Sequence, residues 1–512
     1  MTSILTGAVA LTASFVLSLL ADGRARPFDR AARIGTAWGL HGAALACLFF
    51  GLLAVTGRPG FSALVTVGLN ALMIVVSNAK FATLREPFVF TDLSLFSQLF
   101  AHPRLYLPFL GGKNLLGIAV GAFVLALGYV ADHAVPGAMR LAATVAACLC
   151  FALGRRLATM LDLSLDPVTD QARHGFFATF VAYLLNGLRW RTPEQLRRAL
   201  AAGPFARGGE AGGPDVIVIQ SESYFDSRRA SGAINAAAYA RFDEACSESI
   251  LSGALMVPAW GANTMRTEFA VLTGLPAKDL GYARFYPYTF VRRACSSLAT
   301  WFLRAGYRTI AIHPYHADFF GRDRAFPLLG FEGFLDIRHF SVTDRVGAYV
   351  GDYAVAEAII SELERGGGAQ PRFVFAMTME NHGPLHLEQV LPGESSSRHT
   401  LGEDASWRDL TAYLRHIENA DAMIGRLLDY LRTSDRETVV CFYGDHVPAL
   451  PHVFEKLGVN PQHSDYFIWR NYGADTPECR NLAAEELGSA LLHVVQDDGN
   501  RTKQPCASEK AT

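Results

Sequence analysis

Three short polar segments in the C-terminal two thirds of the chain carry residue types that can bind a metal ion. They read VIVIQSES (216–223), GANTMRTEF (261–269) and FYGDH (442–446). Glu222, Asp445 and His446 supply the carboxylate and imidazole groups that Mn²⁺, Mg²⁺ or Zn²⁺ accept as ligands. The set therefore predicts one divalent metal site built from residues far apart in the chain.

Thr264, in the middle segment, is the candidate nucleophile. Residues 265–273 read as a helix, so Thr264 lies near a helix N-terminus, where backbone N–H groups attract phosphate or sulfate. An unassisted threonine hydroxyl is a poor nucleophile, and metal coordination lowers its pKa enough for attack. The alternative role is a plain N-cap, for which threonine is well suited.

Two further segments carry groups that suit phosphate chemistry. Arg322, in HPYHADFFGRD (313–323), could hold a phosphate bidentately with His313 beside it. His382, in MENHGP (379–384), could donate a proton to a leaving oxygen. Taken singly, a surface ion pair or a loop histidine is the simpler explanation. Their positions after strand candidates favour a functional role.

The elements that must position these groups are short apolar strands alternating with helices. Strand candidates cover 215–220, 308–312, 372–377 and 437–442, and helical patterns cover 296–305 and 415–431. This alternation predicts an α/β domain with a mainly parallel sheet. Ligands of such sheets bind beyond the carboxyl ends of the strands. Glu222 and the Asp445–His446 pair follow two of these strands, so we expect them at the same edge.

The N-terminal third is apolar enough to be a membrane region. Five stretches are predicted to be long enough to cross a bilayer: 2–20, 35–56, 61–79, 115–131 and 140–153. The first lacks a basic n-region and further spans follow it, so an anchor is favoured over a signal peptide. Residues 176–188 are predicted to form an interfacial amphipathic helix, with a sixth span as the alternative.

Composition excludes some classes of function. The chain has 512 residues, a net charge of −2 and 18% charged residues, which argues against a nucleic-acid-binding protein. Its 8 cysteines contain no CxxC pair, so free thiols are favoured over a disulfide or zinc framework. A Gly- and Pro-rich linker (202–214) precedes the soluble part. The predicted organisation is a transmembrane region (1–158), an interfacial helix and linker (159–214), a catalytic domain (215–500) and a disordered tail (501–512).

At these residues the sequence resembles the lipoteichoic acid synthase-like phosphoglycerol transferases of the alkaline phosphatase/sulfatase superfamily. The resemblance covers the whole architecture of spans, linker and sulfatase-like domain. The family's metal and nucleophile positions are matched by Glu222, Thr264, Asp445 and His446. Its GxxT(x)₃EF pattern is matched by Gly261, Thr264, Glu268 and Phe269, and its substrate-contacting residues by His313, Arg322 and His382. Tyr315 and Phe320 stand where lipoteichoic acid synthases carry an acidic residue and a tryptophan.

The resemblance implies a two-step transfer that uses Mn²⁺, with Mg²⁺ or Zn²⁺ as alternatives. Thr264 attacks a membrane phospholipid such as phosphatidylglycerol, and diacylglycerol leaves with a proton from His382. The phosphoglycerol group then passes to a hydroxyl of an envelope glycan or polymer; the Ala- and Arg-rich composition fits a Gram-negative source and a periplasmic glucan. This implies a multi-pass protein of the cytoplasmic (inner) membrane with a periplasmic catalytic domain. The positive-inside rule instead predicts that the arginine-rich loop that follows the first span lies in the cytoplasm. With five spans, the C-terminal domain would then lie in the cytoplasm as well.

Two alternatives to this function stay open. One is a phosphoethanolamine transferase or a sulfatase-type hydrolase. The chain lacks the C/S-x-P-x-R motif of sulfatases, and Thr264 lies farther from Glu222 than the corresponding threonine does in phosphoethanolamine transferases. The other is a noncatalytic, membrane-tethered binding protein, against which the intact Glu-Thr-Asp-His set argues.

Overall fold

The computed structural model describes residues 2–27, 33–94, 112–209, 212–365, 370–473 and 476–496. The chain divides into two compact units, Met1–Thr192 and Pro193–Thr512.

The first unit is helical. Its helices are α1 (Thr2–Asp22), α2 (Gly35–Thr56), α3 (Pro59–Leu84), α4 (Gly112–Ala131), α5 (Gly137–Ala158), α6 (Pro167–His174) and α7 (Phe176–Gly187). Among the described residues, four segments are long and apolar enough to cross a membrane: Leu5–Asp22, Gly35–Thr56, Pro59–Leu84 and Gly137–Ala158. They coincide with four of the five predicted spans and have the length and apolar composition that a span requires. The remaining one lies in α4, where the apolar segment that can be assessed, Ala119–Ala131, is shorter than a span.

Helix α7 corresponds to the stretch predicted to lie at the membrane interface. Nine of its 12 residues are buried, so the helix has no broad polar face exposed to water. Phe180 stacks on Phe88 with ring centroids 5.7 Å apart, and the Tyr183 hydroxyl donates to Asp170 Oδ2 at 2.7 Å. Packing inside this unit thus accounts for the apolar character of the helix, and its place at the interface stays a prediction.

The second unit is an α/β domain. Its strands are β1 (Asp215–Ser221), β2 (Leu251–Met256), β3 (Arg308–Ile312), β4 (Gly333–Leu335), β5 (Arg345–Val346), β6 (Tyr349–Val350), β7 (Arg372–Met377), β8 (Thr438–Gly444), β9 (His463–Arg470), β10 (Glu478–Cys479) and β11 (Leu482–Ala483). Its helices are α8 (Arg191–Ala202), α9 (Ala240–Glu248), α10 (Thr264–Thr273), α11 (Leu298–Arg304), α12 (Arg322–Leu328), α13 (Asp352–Glu364), α14 (Glu394–Arg398), α15 (Arg408–Arg432), α16 (Pro451–Leu457) and α17 (Ala484–Gln496).

Nine of these strands form one mixed, mostly parallel sheet in the part of the chain that the structure describes. Their order is β10-β2-β9-β8-β1-β7-β3-β4, with β11 also paired to β2, and β5-β6 form a separate hairpin. The central strands β8, β1, β7, β3 and β4 are parallel, whereas β9 runs antiparallel to β8 and β2. The predicted α/β class with a mainly parallel sheet is therefore confirmed. Strands β3 and β7 have the predicted bounds.

Both faces of the sheet are covered, which explains why its central strands are continuously apolar. Strands β1, β7 and β8 are buried along their whole length. On one face, helices α13 and α15 contribute Ile359, Ile417 and Ile424 to the main core. Burial of each such side chain stabilises the fold by about 1.5–3 kcal/mol. On the other face, α10 approaches α17 so closely that a Cβ on Gly488 would lie 2.6 Å from the Val271 carbonyl oxygen.

The register of the central strands brings the predicted site residues to one edge. Strands β1 and β8 are parallel, and Ser221 pairs with Gly444, so the next residues, Glu222 and Asp445, leave the sheet side by side. His382 follows β7 and His313 follows β3 at the same edge, because those strands run parallel to β1. Sheet geometry therefore assembles groups that are distant in the sequence.

Gly444 has no room for a side chain, since a Cβ there would lie 2.0 Å from the Tyr224 carbonyl oxygen. We expect Gly444→Ala to destabilise the protein by about 1–3 kcal/mol and to displace the adjacent Asp445. The measurements are chemical denaturation and metal affinity. Gly333→Ala is the matched control in the same sheet, because its Cβ would meet Ile310 at an ordinary 3.6 Å. Equal effects of the two substitutions would contradict the steric explanation.

Candidate active site

Glu222, Asp445 and His446 form the centre of the candidate site. One ligand atom from each residue lies within 4.8 Å of the others, and all three side chains are buried. His446 Nε2 is 3.5 Å from Glu222 Oε1 and 3.5 Å from Asp445 Oδ2. The structure therefore brings together three of the four residues predicted to hold a metal ion, and the fourth, Thr264, stays a predicted ligand.

The donor atoms of this cluster fit a divalent cation. His446 Nδ1 lies 3.1 Å from the Val447 carbonyl oxygen, to which it donates, and Nε2 is left with its lone pair facing the two carboxylates. Asp445 Oδ2 is buried and has no hydrogen-bond partner among the described residues. Burial and the neighbouring Asp445 raise the pKa of Glu222 well above its usual range. Two crowded buried carboxylates beside an imidazole lone pair are stabilised by a bound cation.

The backbone beside the cluster is fixed by Ser223. Its N–H donates to Asp445 Oδ1 at 2.7 Å and its hydroxyl donates to Glu222 Oε1 at 2.9 Å. Ser223 has a positive φ of 54°, a conformation that costs a non-glycine residue free energy. The Tyr413 hydroxyl donates to the Ser223 carbonyl at 3.0 Å and holds this turn from α15. The turn orients both carboxylates before any ligand binds.

Thr264 is the first residue of α10 and is half-buried. Asn263, with a positive φ of 66°, takes the N-cap position without a capping bond from its side chain, so Thr264 does not occupy the N-cap position. One turn into the helix, the Thr267 hydroxyl donates to the Asp445 carbonyl at 2.6 Å. Just before the helix, the Gly261 N–H donates to the Val447 carbonyl at 3.0 Å. These bonds fix the start of α10 beside the Asp445–His446 segment.

Arg322 is fully buried and is held by Glu268. Its Nε and Nη2 donate to the Glu268 carboxylate at 3.0 and 2.7 Å. The carboxylate also accepts from the Gln220 side chain at 3.2 Å and from the Tyr288 hydroxyl at 2.5 Å. The Nε–Nη2 side of the guanidinium is thus occupied, and only its Nη1 side remains for a predicted phosphate contact.

We expect Glu268→Gln to destabilise the protein by about 3–5 kcal/mol, because it leaves the buried Arg322 charge without its counter-ion. Chemical denaturation measures this change. Glu244→Gln is the control, because it breaks only surface pairs, with Arg241 and Arg432, for each of which we expect about 0–1 kcal/mol. Similar losses for both variants would show that the buried pair does not stabilise the fold.

Two histidines complete the polar surface of the site. Arg322 Nη1 donates to His313 Nε2 at 3.2 Å, which places the imidazole proton on Nδ1. That buried Nδ1 has no partner in the described residues, so it is available to a substrate oxygen. His382 Nδ1 donates to the Gly383 carbonyl at 2.8 Å, which leaves Nε2 for proton transfer. Burial lowers the pKa of both histidines, and Arg322 lowers that of His313 further.

Aromatic side chains border these histidines. The Tyr349 hydroxyl lies 3.3 Å from His382 Nδ1 and 3.2 Å from the Gly383 carbonyl. Tyr315 is half-buried, with its ring centroid 6.4 Å from that of Tyr349. Phe320 has a positive φ of 59°, and the Arg322 guanidinium lies 5.2 Å from its ring centroid. Tyr315 and Phe320 thus give the site an aromatic wall.

Sequence reasoning missed several of the groups at this site. Tyr349 and Ser223 gave no signal, because each acts through a contact made only in the folded chain. Glu268 was named only as part of the GxxT(x)₃EF pattern, and its partner Arg322 was not foreseen; its position four residues after Thr264 on the same helix places both on one face. Asn381 precedes His382, and its buried amide has no partner among the described residues, which makes it a further candidate for substrate contact.

Comparison with known proteins identifies the family. The sulfatase family profile matches residues 214–494. The capsular polysaccharide biosynthesis protein RkpI of Rhizobium meliloti (strain 1021) is 31% identical over 454 residues, which are 83% of this chain and 80% of that protein. A putative cyclic beta-1,2-glucan modification protein of the same strain is 29% identical over 261 residues, or 51% of this chain and 39% of that protein.

One solved structure matches both parts of the fold. The integral membrane protein lipooligosaccharide phosphoethanolamine transferase A (EptA) from Neisseria meningitidis aligns with a TM-score of 0.57 at 13% identity, over 96% of this chain and 95% of that protein. It supports the predicted arrangement of apolar N-terminal helices followed by a sulfatase-like domain. The match of the family profile to more than half of the chain shows that this protein belongs to the sulfatase family.

Proposed function

We propose that the protein is a membrane-anchored, metal-dependent transferase. It moves a phosphoglycerol or similar phospho head group from a membrane phospholipid, through a phosphothreonine at Thr264, to an envelope glycan or polymer. The observation that carries this proposal is the convergence of Glu222, Asp445 and His446 at the sheet edge where α10 begins. The apolar N-terminal helices support a donor that resides in the membrane.

The metal would be held by Glu222, Asp445 and His446, with Mn²⁺ preferred over Mg²⁺ or Zn²⁺. When bound, it would neutralise phosphate charge and lower the pKa of the threonine hydroxyl. The N–H groups at the start of α10 favour an anionic phosphate next to Thr264. His313 Nδ1 and Arg322 Nη1 donate hydrogen bonds to the phosphate oxygens and orient the group for attack.

In the first half-reaction, a phosphorus–oxygen bond forms to Thr264 Oγ and the bond to the diacylglycerol oxygen breaks. The threonine hydroxyl proton passes through solvent to His382 Nε2, and His382 Nε2 donates a proton to the leaving oxygen. In the second half-reaction, an acceptor hydroxyl returns a proton to His382 Nε2 and takes the phosphoryl group. Thr264 then recovers its proton, so the protein ends each cycle unchanged.

The proposed acceptor is a saccharide. Its support is that both Rhizobium meliloti relatives carry names that refer to carbohydrate, one to a capsular polysaccharide and one to a cyclic beta-1,2-glucan. The proposed location is the cytoplasmic (inner) membrane, with the catalytic domain outside the cytoplasm, where such polymers lie. The arginine distribution near the first span opposes this orientation, and accessibility labelling of the C-terminal domain in intact cells tests it.

Intact mass spectrometry of the full-length protein tests the reaction. The protein is incubated with Mn²⁺ and phosphatidylglycerol, and in parallel with phosphatidylethanolamine. We expect one added phosphoglycerol group from the first lipid and none from the second. An added phosphoethanolamine group would identify a phosphoethanolamine transferase. No adduct from either lipid, with metal bound, would overturn the proposed donor, and a protein that binds no metal would support the noncatalytic alternative.

A further inference from the structure

Exposed apolar side chains of the second unit are concentrated beside the candidate site. In the described part of this unit, the large exposed apolar or aromatic residues are Met256, Leu303, Val342, Val346, Tyr353, Leu387 and Leu391. Four of these seven, Val342, Val346, Leu387 and Leu391, lie in two short segments, 342–346 and 385–391; we call these four residues the rim. Clustered exposed apolar residues mark interaction surfaces, whereas scattered ones are ordinary.

The two segments meet at His382. Val346 belongs to the β5-β6 hairpin, in which it pairs with Tyr349. The Tyr349 hydroxyl in turn contacts His382 Nδ1 and the Gly383 carbonyl, at the start of the second segment. The rim therefore lies next to the group that would protonate the leaving oxygen.

Both segments are firmly held, so their exposure is not a consequence of weak local structure. Glu388, between Leu387 and Leu391, accepts from His416 Nε2 at 2.8 Å and from Arg415 Nη1 at 3.0 Å. The Leu391 N–H donates to Glu394 Oε2 at 2.8 Å. These bonds attach the second segment to α14 and α15, and they leave Leu387 60% exposed and Leu391 58% exposed.

The hairpin side has a similar anchor. The Ser341 N–H donates to Asp344 Oδ2 at 2.7 Å, and the Gly351 N–H donates to the Asp344 carbonyl at 2.8 Å. These bonds close the hairpin at its base, while Val342 remains 81% exposed. The two anchored segments thus present apolar side chains to their surroundings at a fixed position.

A cation accompanies the apolar side chains. Arg345 is exposed and follows Asp344 directly, and within the described ranges its guanidinium has a bond to a backbone carbonyl but no ion pair with a carboxylate. Its Nη1 donates only weakly to the Ala348 carbonyl, at 3.4 Å. Apolar side chains combined with an uncompensated arginine suit the surface of a bilayer that contains anionic lipids.

We infer that the rim contacts the surface of an anionic phospholipid bilayer and delivers a lipid head group to the space beside His382. This inference rests on the proposed use of a phospholipid donor. It assigns a role to residues that make no contact with the candidate metal ligands. The occupant of the rim is the bilayer itself, rather than the saccharide acceptor or a second protein.

Photo-crosslinking of the full-length protein tests the contact directly. Leu387→p-benzoylphenylalanine and Val342→p-benzoylphenylalanine are each reconstituted in nanodiscs of phosphatidylglycerol and phosphatidylcholine, irradiated, and analysed by mass spectrometry. We expect lipid adducts at both positions. Met256→p-benzoylphenylalanine is the matched control, because Met256 is 57% exposed but lies outside the rim. The inference would be overturned if lipid labelling at the rim were no greater than at Met256. It would also be overturned if the rim positions crosslinked only to added glycan or only to protein.

A kinetic measurement separates bilayer contact from chemistry. For Leu387→Ser/Leu391→Ser we expect the KM for phosphatidylglycerol in vesicles to rise roughly tenfold, because interfacial binding scales with the apolar area buried. The kcat with vesicles, and both kcat and KM for a monomeric short-chain lipid, should stay near the wild-type values. For Met256→Ser, kcat and KM with either lipid form should also stay near the wild-type values. An equal loss with vesicles and monomers would overturn the inference. Lipid crosslinks at the rim without any adduct on Thr264 would instead overturn the proposed donor, whereas the contact between the rim and the bilayer would still be supported.

Discussion

Thr264→Val is expected to abolish transfer, with a loss of roughly 10⁴-fold or more in kcat, the scale seen when a catalytic nucleophile is removed. Valine has the shape of threonine without its hydroxyl, so no phosphorylated intermediate can form. Intact mass after incubation with Mn²⁺ and phosphatidylglycerol should show no adduct, whereas the wild-type protein carries one. Thr264 is only half-buried and takes part in no cap, so the fold should tolerate the change.

Thr264→Ser serves as the control for this result, because it keeps a hydroxyl at the start of α10. It should form the adduct more slowly than wild type and should retain measurable turnover. Thermal unfolding of both variants should match the wild type within about 0.5 kcal/mol. An adduct on Thr264→Val, or one mapped by peptide analysis to another residue, would assign the nucleophile elsewhere.

Asp445→Asn is expected to remove most of the metal affinity. The substitution replaces the unpartnered Oδ2, which lies 3.5 Å from His446 Nε2, by an amide that donates hydrogen bonds and carries no charge. Because Asp445 is a predicted direct ligand, its loss should lower the metal affinity by more than the ~10–100-fold that results when a ligand loses its outer hydrogen-bond partner. Elemental analysis and a Mn²⁺ titration of the full-length protein measure the effect.

Stability adds a second measurement for the same variant. Wild-type protein should gain stability with added Mn²⁺, because an ion that binds only the folded state shifts the unfolding equilibrium. In chelator, Asp445→Asn should be more stable than wild type, since it removes repulsion between two buried carboxylates. Asp421→Asn is the control, because Asp421 is buried but caps α9 through the Arg241 and Phe242 N–H groups. Equal Mn²⁺ affinity of wild type and Asp445→Asn would exclude this residue as a ligand.

The central strands could be predicted because their signal is local. Continuous apolar runs such as those of β3 and β7 are typical of strands buried on both faces, and the structure gives both strands the predicted bounds. Helix α15 begins at Arg408, earlier than the predicted start at residue 415. The prediction began late because the first turns of the helix carry a less regular apolar stripe. The antiparallel strand β9 was not predicted, and one of its two neighbours in the sheet, β2, is remote in sequence.

The candidate ligands could also be predicted, but their environment could not. Carboxylate and imidazole groups that follow parallel strands must meet at one edge, so Glu222, Asp445 and His446 followed from the order of motifs alone. The helix α7 shows the limit of such reasoning. Its apolar sequence suited a membrane surface, yet most of the helix is buried against neighbouring helices. The same apolar residues suit a membrane surface and a protein interior, so the sequence does not distinguish the two environments.

The sequence by itself determined the class of the fold, the membrane-spanning character of the N-terminal helices and the residue types at the site, because periodicity and residue chemistry are properties of short segments. Only the tertiary structure decided that Glu268 neutralises Arg322, that Arg322 sets the tautomer of His313, and that Tyr349 contacts His382. Each of these interactions joins side chains from different elements, so its geometry exists only after sheet register and helix packing have fixed the distances between them.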